Sequence, residues 1–223
     1  FGVKLIMYGE NGELEYGGSD KYKNKPMEGP EEWEQEYYKG ASVDKLIQLG
    51  VERGVLSREE QIAETMKWYK PPAPDQIGGK GLEMHWFSYY KKWTPQENYY
   101  YAVKYTGFRP NPKGRTEATY TKYASLDDKA DGFHFYLGYM KFGLGRCSRD
   151  AQQDVRRGHI TRDEGVALVR RFDHEFPSEH FPWFLDYLGI TESDFWSVMD
   201  LYRTASNVWR KDGERWVMEH LVA

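Results

Sequence analysis

The sequence predicts an α/β domain that begins partway through its sheet, followed by a mostly α-helical region. Three observations carry this. The chain opens directly on the apolar run Phe1-Gly2-Val3-Lys4-Leu5-Ile6-Met7-Tyr8, with no polar leader or cap before it. Before residue 126 only one other strand pattern, residues 83–90, follows among helical patterns, and five helical patterns then succeed one another. An open sheet of two strands is not a stable unit, so either the chain is mostly helical or further strands lie upstream of Phe1.

The first strand, residues 3–8, runs into Gly9-Glu10-Asn11-Gly12-Glu13-Leu14-Glu15-Tyr16-Gly17-Gly18. In open α/β sheets, ligands bind beyond the carboxyl ends of strands. Glycines there let backbone N–H groups approach a phosphate, and Glu10, Glu13 and Glu15 could hold a magnesium ion, with Asn11 adding an orienting hydrogen bond. A glycine-rich surface turn with solvated acids reads equally well. Helical patterns follow at 31–39, 42–53 and 57–69, the last opened by Ser57 and Glu60 in capping-box spacing and stopped by Pro71-Pro72-Ala73-Pro74. Thr94-Pro95-Gln96-Glu97 combines an N-cap, a proline at the first helical position and a capping glutamate. A helix is expected from 95 to 106, ending at Gly107. Its Tyr99-Tyr100-Tyr101 run could stack a nucleobase, but aromatics on a helix sit more often in the core.

Residues 108–124 place Arg109, Lys113, Arg115 and Lys122 among prolines, glycines and threonines without a helical period, the pattern of a long basic loop. Helices are then expected at 126–142, 148–157, 162–172 behind Thr161 and Glu164, 179–188, and 192–203 behind Thr191. Asp212-Gly213 between aromatic runs marks a terminal hairpin. The domain boundary predicted from these patterns lies between 1–107 and 108–223.

Charge narrows the functional classes. The chain has 223 residues and a net charge of −4, but residues 91–171 carry +7 between acidic flanks. That suits a phosphate or nucleotide better than a long polyanion, and nucleic acid is not an expected partner. Solvated helix faces are the plainer alternative. No run approaches the roughly 20 apolar residues of a spanning helix, and a single cysteine, Cys147, excludes a cysteine-based zinc cluster and suits a reducing, cytoplasmic compartment. Nothing places a histidine beside Cys147, and none of the six histidines reaches zinc-protease spacing. Lys141 and Arg146, in Lys141-Phe142-Gly143-Leu144-Gly145-Arg146, could instead clamp a phosphoryl group at a glycine-broken helix end. Cations complementing a helix dipole would look the same.

Several ordered segments together resemble the N-acetyl sugar amidotransferases, PP-loop enzymes of bacterial surface-polysaccharide and sialic-acid-like sugar biosynthesis. They are Tyr8-Gly9-Glu10-Asn11 with Glu15-Tyr16-Gly17; Trp93-Thr94-Pro95-Gln96-Glu97-Asn98-Tyr99; Gly107-Phe108-Arg109; and Arg115-Thr116-Glu117. Later come Asp127-Asp128-Lys129 to Gly132-Phe133-His134, the Lys141 to Arg146 run with Asp150-Ala151, Gly158-His159-Ile160-Thr161-Arg162, and Phe195-Trp196. The resemblance spans essentially the whole chain.

It implies a PP-loop, adenine nucleotide α-hydrolase-like domain and an ATP- and magnesium-dependent reaction. The oxygen of a sugar N-acetyl group is adenylylated, pyrophosphate leaves, and ammonia gives an acetamidino sugar. The implied partners are a nucleotide-linked N-acetyl sugar and glutaminase and barrel subunits that supply ammonia. By analogy Lys141, Glu10 and Asn11 stand near the reacting phosphate; Arg109, Arg115, Lys122 and Arg146 are candidates for the anionic substrate, and Glu10, Glu13 and Glu15 for magnesium. Family members also carry a cysteine-rich segment and a Ser-Gly-Gly-Lys-Asp-Ser phosphate loop, neither present here. These residues alone are therefore expected not to turn over, and ATP pyrophosphatase activity in them would refute that. Another PP-loop amide-forming or tRNA-modifying ligase, or a docking region for the ammonia-supplying subunits, are the competing readings.

Overall fold

The computed structural model describes residues 2–9, 25–27, 42–59, 68–70, 76–77 and 80–219. The chain divides into two compact units, Phe1–Trp93 and Thr94–Ala223. The division falls earlier than the expected 107/108. The helix after Thr94 groups with the second unit, where Tyr99 stacks on Tyr123 with ring centroids 4.9 Å apart.

In the first unit, strand β1 (Leu5–Tyr8) pairs in parallel with β2 (Glu83–Trp86), Leu5 opposite Glu83 and Tyr8 opposite Trp86. The Tyr8 and Trp86 rings meet at 5.5 Å, and Trp86 is buried. Between the strands in sequence lies α1 (Val43–Glu52), capped by Ser42, whose hydroxyl accepts from the Lys45 N–H, and anchored by buried Ile47. The strand expected over 83–90 stops at Trp86. Phe87–Tyr90 forms one helical turn, α2, with the Lys91 N–H closing onto the Phe87 carbonyl at 3.0 Å. A short aromatic run has no period long enough to separate strand from helix. The glycine-rich loop beyond Gly9, the expected helix at 31–39 and most of that at 57–69 lie outside the described residues.

The second unit is helical. Helix α3 (Pro95–Tyr105) starts behind Thr94 with Pro95 in its first turn. Thr94 donates its hydroxyl to the Glu97 carboxylate instead of capping a backbone N–H, so the expected capping box is not the one formed. Residues 108–130 are irregular, as the interspersed prolines and glycines predict for 108–124, and the irregular stretch runs on to 130. Helix α4 (Asp131–Phe142) begins five residues later than expected, because Asp128 accepts the Ala130 N–H in a turn of its own. Gly143, at φ +70°, ends it, and α5 (Arg146–Arg157) follows two residues on.

Helix α6 (Arg162–Phe172) carries the predicted Thr161–Glu164 capping box. Helix α7 (Phe181–Leu188) and helix α8 (Glu192–Ala205), with a Thr191–Asp194 box, complete the bundle. Strands β3 (Trp209–Asp212) and β4 (Arg215–Met218) form the expected antiparallel hairpin, with Gly213 at φ +63° in the first turn position. The core joins α4, α7 and α8 through Phe133, Tyr136, Met140, Phe184, Phe195 and Met199. Phe133 and Phe184 stack at 3.9 Å, and the Trp209 indole donates to the Met140 carbonyl at 2.8 Å. No helix among the described residues is long and apolar enough to cross a membrane.

Candidate functional site

Helix α5 organises the polar chemistry of the second unit. Arg146 sits in its first turn, not in the helix C-terminal position the sequence suggested. A cation at a helix N-terminus opposes the helix dipole, and two carboxylates reverse that disadvantage. Its guanidinium donates to Asp131 at 3.0 Å, lies 3.5 Å from Asp150, and covers the Phe135 ring at 4.3 Å. Asp131 also accepts from Ser125, and Asp150 from Thr119. Burial pushes the Asp150 carboxyl above the ordinary aspartate range, with Arg146 and the Thr119 hydroxyl pulling the other way. Arg146 is thus committed to internal carboxylates.

One turn of helix further on, Asp154 is buried and faces a cavity of about 360 Å³. The Tyr120 hydroxyl donates to its Oδ2 at 2.6 Å, and His159 Nδ1 lies 3.3 Å from its Oδ1. Backbone fixes the pair as well: the His159 N–H donates to the Asp154 carbonyl at 2.9 Å, past the Gly158 turn at φ +76°. Burial first, then the Asp154 hydrogen bond, raises the Tyr120 phenol far above its usual range, so it remains a donor. The stacked Tyr99 and Tyr123 rings form another wall, with the Tyr123 hydroxyl donating to the Gln96 side chain at 3.3 Å. Exposed Lys122 and Tyr100 stand at the cavity's edge. Beside it, the buried Thr121 hydroxyl has no hydrogen-bond partner among the described residues.

The other predicted residues scatter. Lys141 lies in the last turn of α4, exposed, with its ammonium 4.4 Å from the centre of the Tyr202 ring, so it and Arg146 cover different rings. Arg115 forms a two-pronged pair with Glu175, both contacts 2.6 Å, and lies 4.4 Å over Phe172. Arg109 is exposed. Glu10, Asn11, Glu13 and Glu15 lie outside the described residues. Among the described residues no group of three or more His, Cys, Asp and Glu could hold a metal ion.

Sequence reading assigned no role to Asp154, His159 or Tyr120. Asp154 and His159 are five apart across a helix stop, which no standard motif spacing marks. The only available signal was Gly158, since a left-handed glycine turn brings the next residue back onto the helix end. Tyr100 and Tyr101 are exposed, so the core reading of that run holds for neither.

The second unit is similar to a class of domain found in lipopolysaccharide (LPS) biosynthesis. Residues 117–222 match the model of the family described as LPS biosynthesis protein WbpG-like, C-terminal domain. The match takes in the Arg146 cluster, Asp154, His159 and Lys122, and starts just beyond Arg115. No curated protein matches the chain.

Proposed function

We propose that the chain is part of an ATP-dependent amidotransferase of LPS sugar biosynthesis, with a PP-loop nucleotide domain and the helical unit forming the sugar-binding part. The observation that carries this reading is the WbpG-like match over 117–222, the stretch that holds the cavity and its charged surroundings. In the proposed reaction the oxygen of an N-acetyl group is adenylylated by ATP with magnesium, and ammonia then displaces AMP to leave an acetamidino sugar. Glutaminase and barrel partners would supply the ammonia.

The residues divide the labour by exposure. Arg109 and Lys122 are exposed, with Lys122 on the cavity's edge, and suit the phosphates of a nucleotide-linked sugar. Arg115 and Arg146, already paired with carboxylates, hold the loop and the start of α5 in place. Lys141 remains the candidate nearest the reacting phosphate by resemblance.

In the natural polypeptide supplied with ATP, magnesium, ammonium chloride and a nucleotide-linked N-acetyl sugar, pyrophosphate release and an amidine product are expected. Lys122→Ala should raise KM for the sugar nucleotide about tenfold with kcat little changed. Absence of any sugar-dependent pyrophosphate release sinks the reading. A second reading, a docking region for the ammonia-supplying subunits, is favoured by the stacked Trp183 and Tyr187 on α7, both exposed. Their replacement by serine would then abolish partner capture and leave turnover with free ammonia intact.

A further inference from the structure

The cavity beside Asp154 has a chemistry that neither charge steering nor the Arg146 cluster explains. Its volume of about 360 Å³ lies near the bottom of the ~300–1,000 Å³ range of small-molecule sites, room for one ring rather than a whole nucleotide-linked sugar. Its walls combine tyrosine rings with a buried carboxylate. An ionised carboxylate accepts about four hydrogen bonds and donates none. Among the described residues each oxygen of Asp154 has one hydrogen-bond neighbour, the Tyr120 hydroxyl on one and His159 Nδ1 on the other.

We propose that this cavity is a monosaccharide subsite that takes a single uncharged pyranose ring, held by Asp154 and packed against the tyrosines. The choice follows from elimination by charge and shape. A buried carboxylate repels a phosphate, so an anion is disfavoured inside and belongs at the edge, where Lys122 is exposed. Tyr99 and Tyr123 stack on each other at 4.9 Å, which leaves no slot between them for a planar base. A pyranose meets both demands. Its hydroxyls donate to the spare lone pairs of Asp154, and its C–H face covers an aromatic surface. The Tyr120 phenol and the imidazole of His159 hold the carboxylate in place and so act as positioning residues.

The choice of an amino sugar as ligand rests on the proposed function; the cavity's preference for a neutral polyol does not. Saturation-transfer NMR on the 223-residue chain with N-acetylglucosamine, N-acetylgalactosamine and N-acetylmannosamine tests it, with uridine monophosphate and tetramethylammonium as controls. At least one sugar should bind through its ring protons, and Asp154→Asn should weaken it about tenfold. Because Asp154 is buried, Tyr100→Ala supplies a variant at an exposed position of the lining, expected to lower affinity severalfold with an unchanged melting curve. No sugar binding, sugar binding that folded Asp154→Asn and Tyr100→Ala leave unaltered, or occupancy by either control alone would overturn the proposal. If sugar binds through these residues but no amidine forms in the turnover assay, the pocket stands and the reaction falls. If amidine forms with KM for the sugar unmoved by Tyr100→Ala, the pocket falls and the reaction stands.

Discussion

Asp173 shows how much one side chain can hold. It ends α6, yet its carboxylate accepts the Gly145 N–H at 2.9 Å, the Ser148 N–H at 2.7 Å and the Ser148 hydroxyl at 2.7 Å. Helix α5 therefore takes its N-terminal cap from a residue 25 positions beyond Ser148. Asp173→Ala leaves buried donors without partners and should cost about 2–3 kcal/mol, seen as a lower denaturant midpoint at unchanged slope. Glu175, two residues on, contributes to acid stability. Burial raises its carboxyl, but the Arg115 fork and the Ala118 N–H outweigh this and hold it below the ordinary glutamate range. A depressed folded value adds stability that is complete above the unfolded value of about 4.3 and is lost as pH falls through the folded one. Glu175→Gln should flatten the stability profile below about pH 4.3. An unchanged acid limb would show that the fork does not matter.

Local signals in the sequence were enough for most elements. The Thr161 and Thr191 caps, the left-handed stops at Gly143, Gly158 and Gly189, and the Gly213 hairpin all lie where short-range chemistry puts them. Each needs only neighbours a few residues away. What was not legible depends on long-range partners. The start of α5 at Arg146 follows from Asp173 and Asp131, which no short window around Arg146 contains; only Asp150, four residues on, is local. The cavity is a sharper case, since Tyr99, Tyr120, Tyr123 and Asp154 come from three segments. The junction of α4 and α5 also admits no added bulk. A Cβ on Gly145 would stand 2.8 Å from both the Asp173 carbonyl and its carboxylate. Gly145→Ala should therefore destabilise by about 1–3 kcal/mol, whereas Gly158→Asn, at an open left-handed position, should be tolerated within about 0.5 kcal/mol. Comparable melting temperatures for the two would refute the packing account.

On the scale of the molecule, the two units differ in kind. The aromatic core of the second, from Phe133 to Met199, lies wholly within Thr94–Ala223. A polypeptide of residues 94–223 is expected to melt cooperatively, with near-ultraviolet circular dichroism from its packed rings. A gradual, featureless melt would mean that its core needs the first unit. In the first unit, Leu5, Ile6, Met7 and Tyr8 of β1 are all exposed.

The chain's single cysteine, Cys147, is wholly shielded at the second position of α5, and burial keeps its thiol protonated far above the normal range. It therefore serves as a built-in clock for the unit that carries the proposed site. An alkylating reagent can reach that sulfur only when α5 lifts away, so labelling at neutral pH times the opening of this unit, with no probe added. A sugar should slow the label in proportion to its occupancy of the cavity at Asp154, about two helix turns along α5.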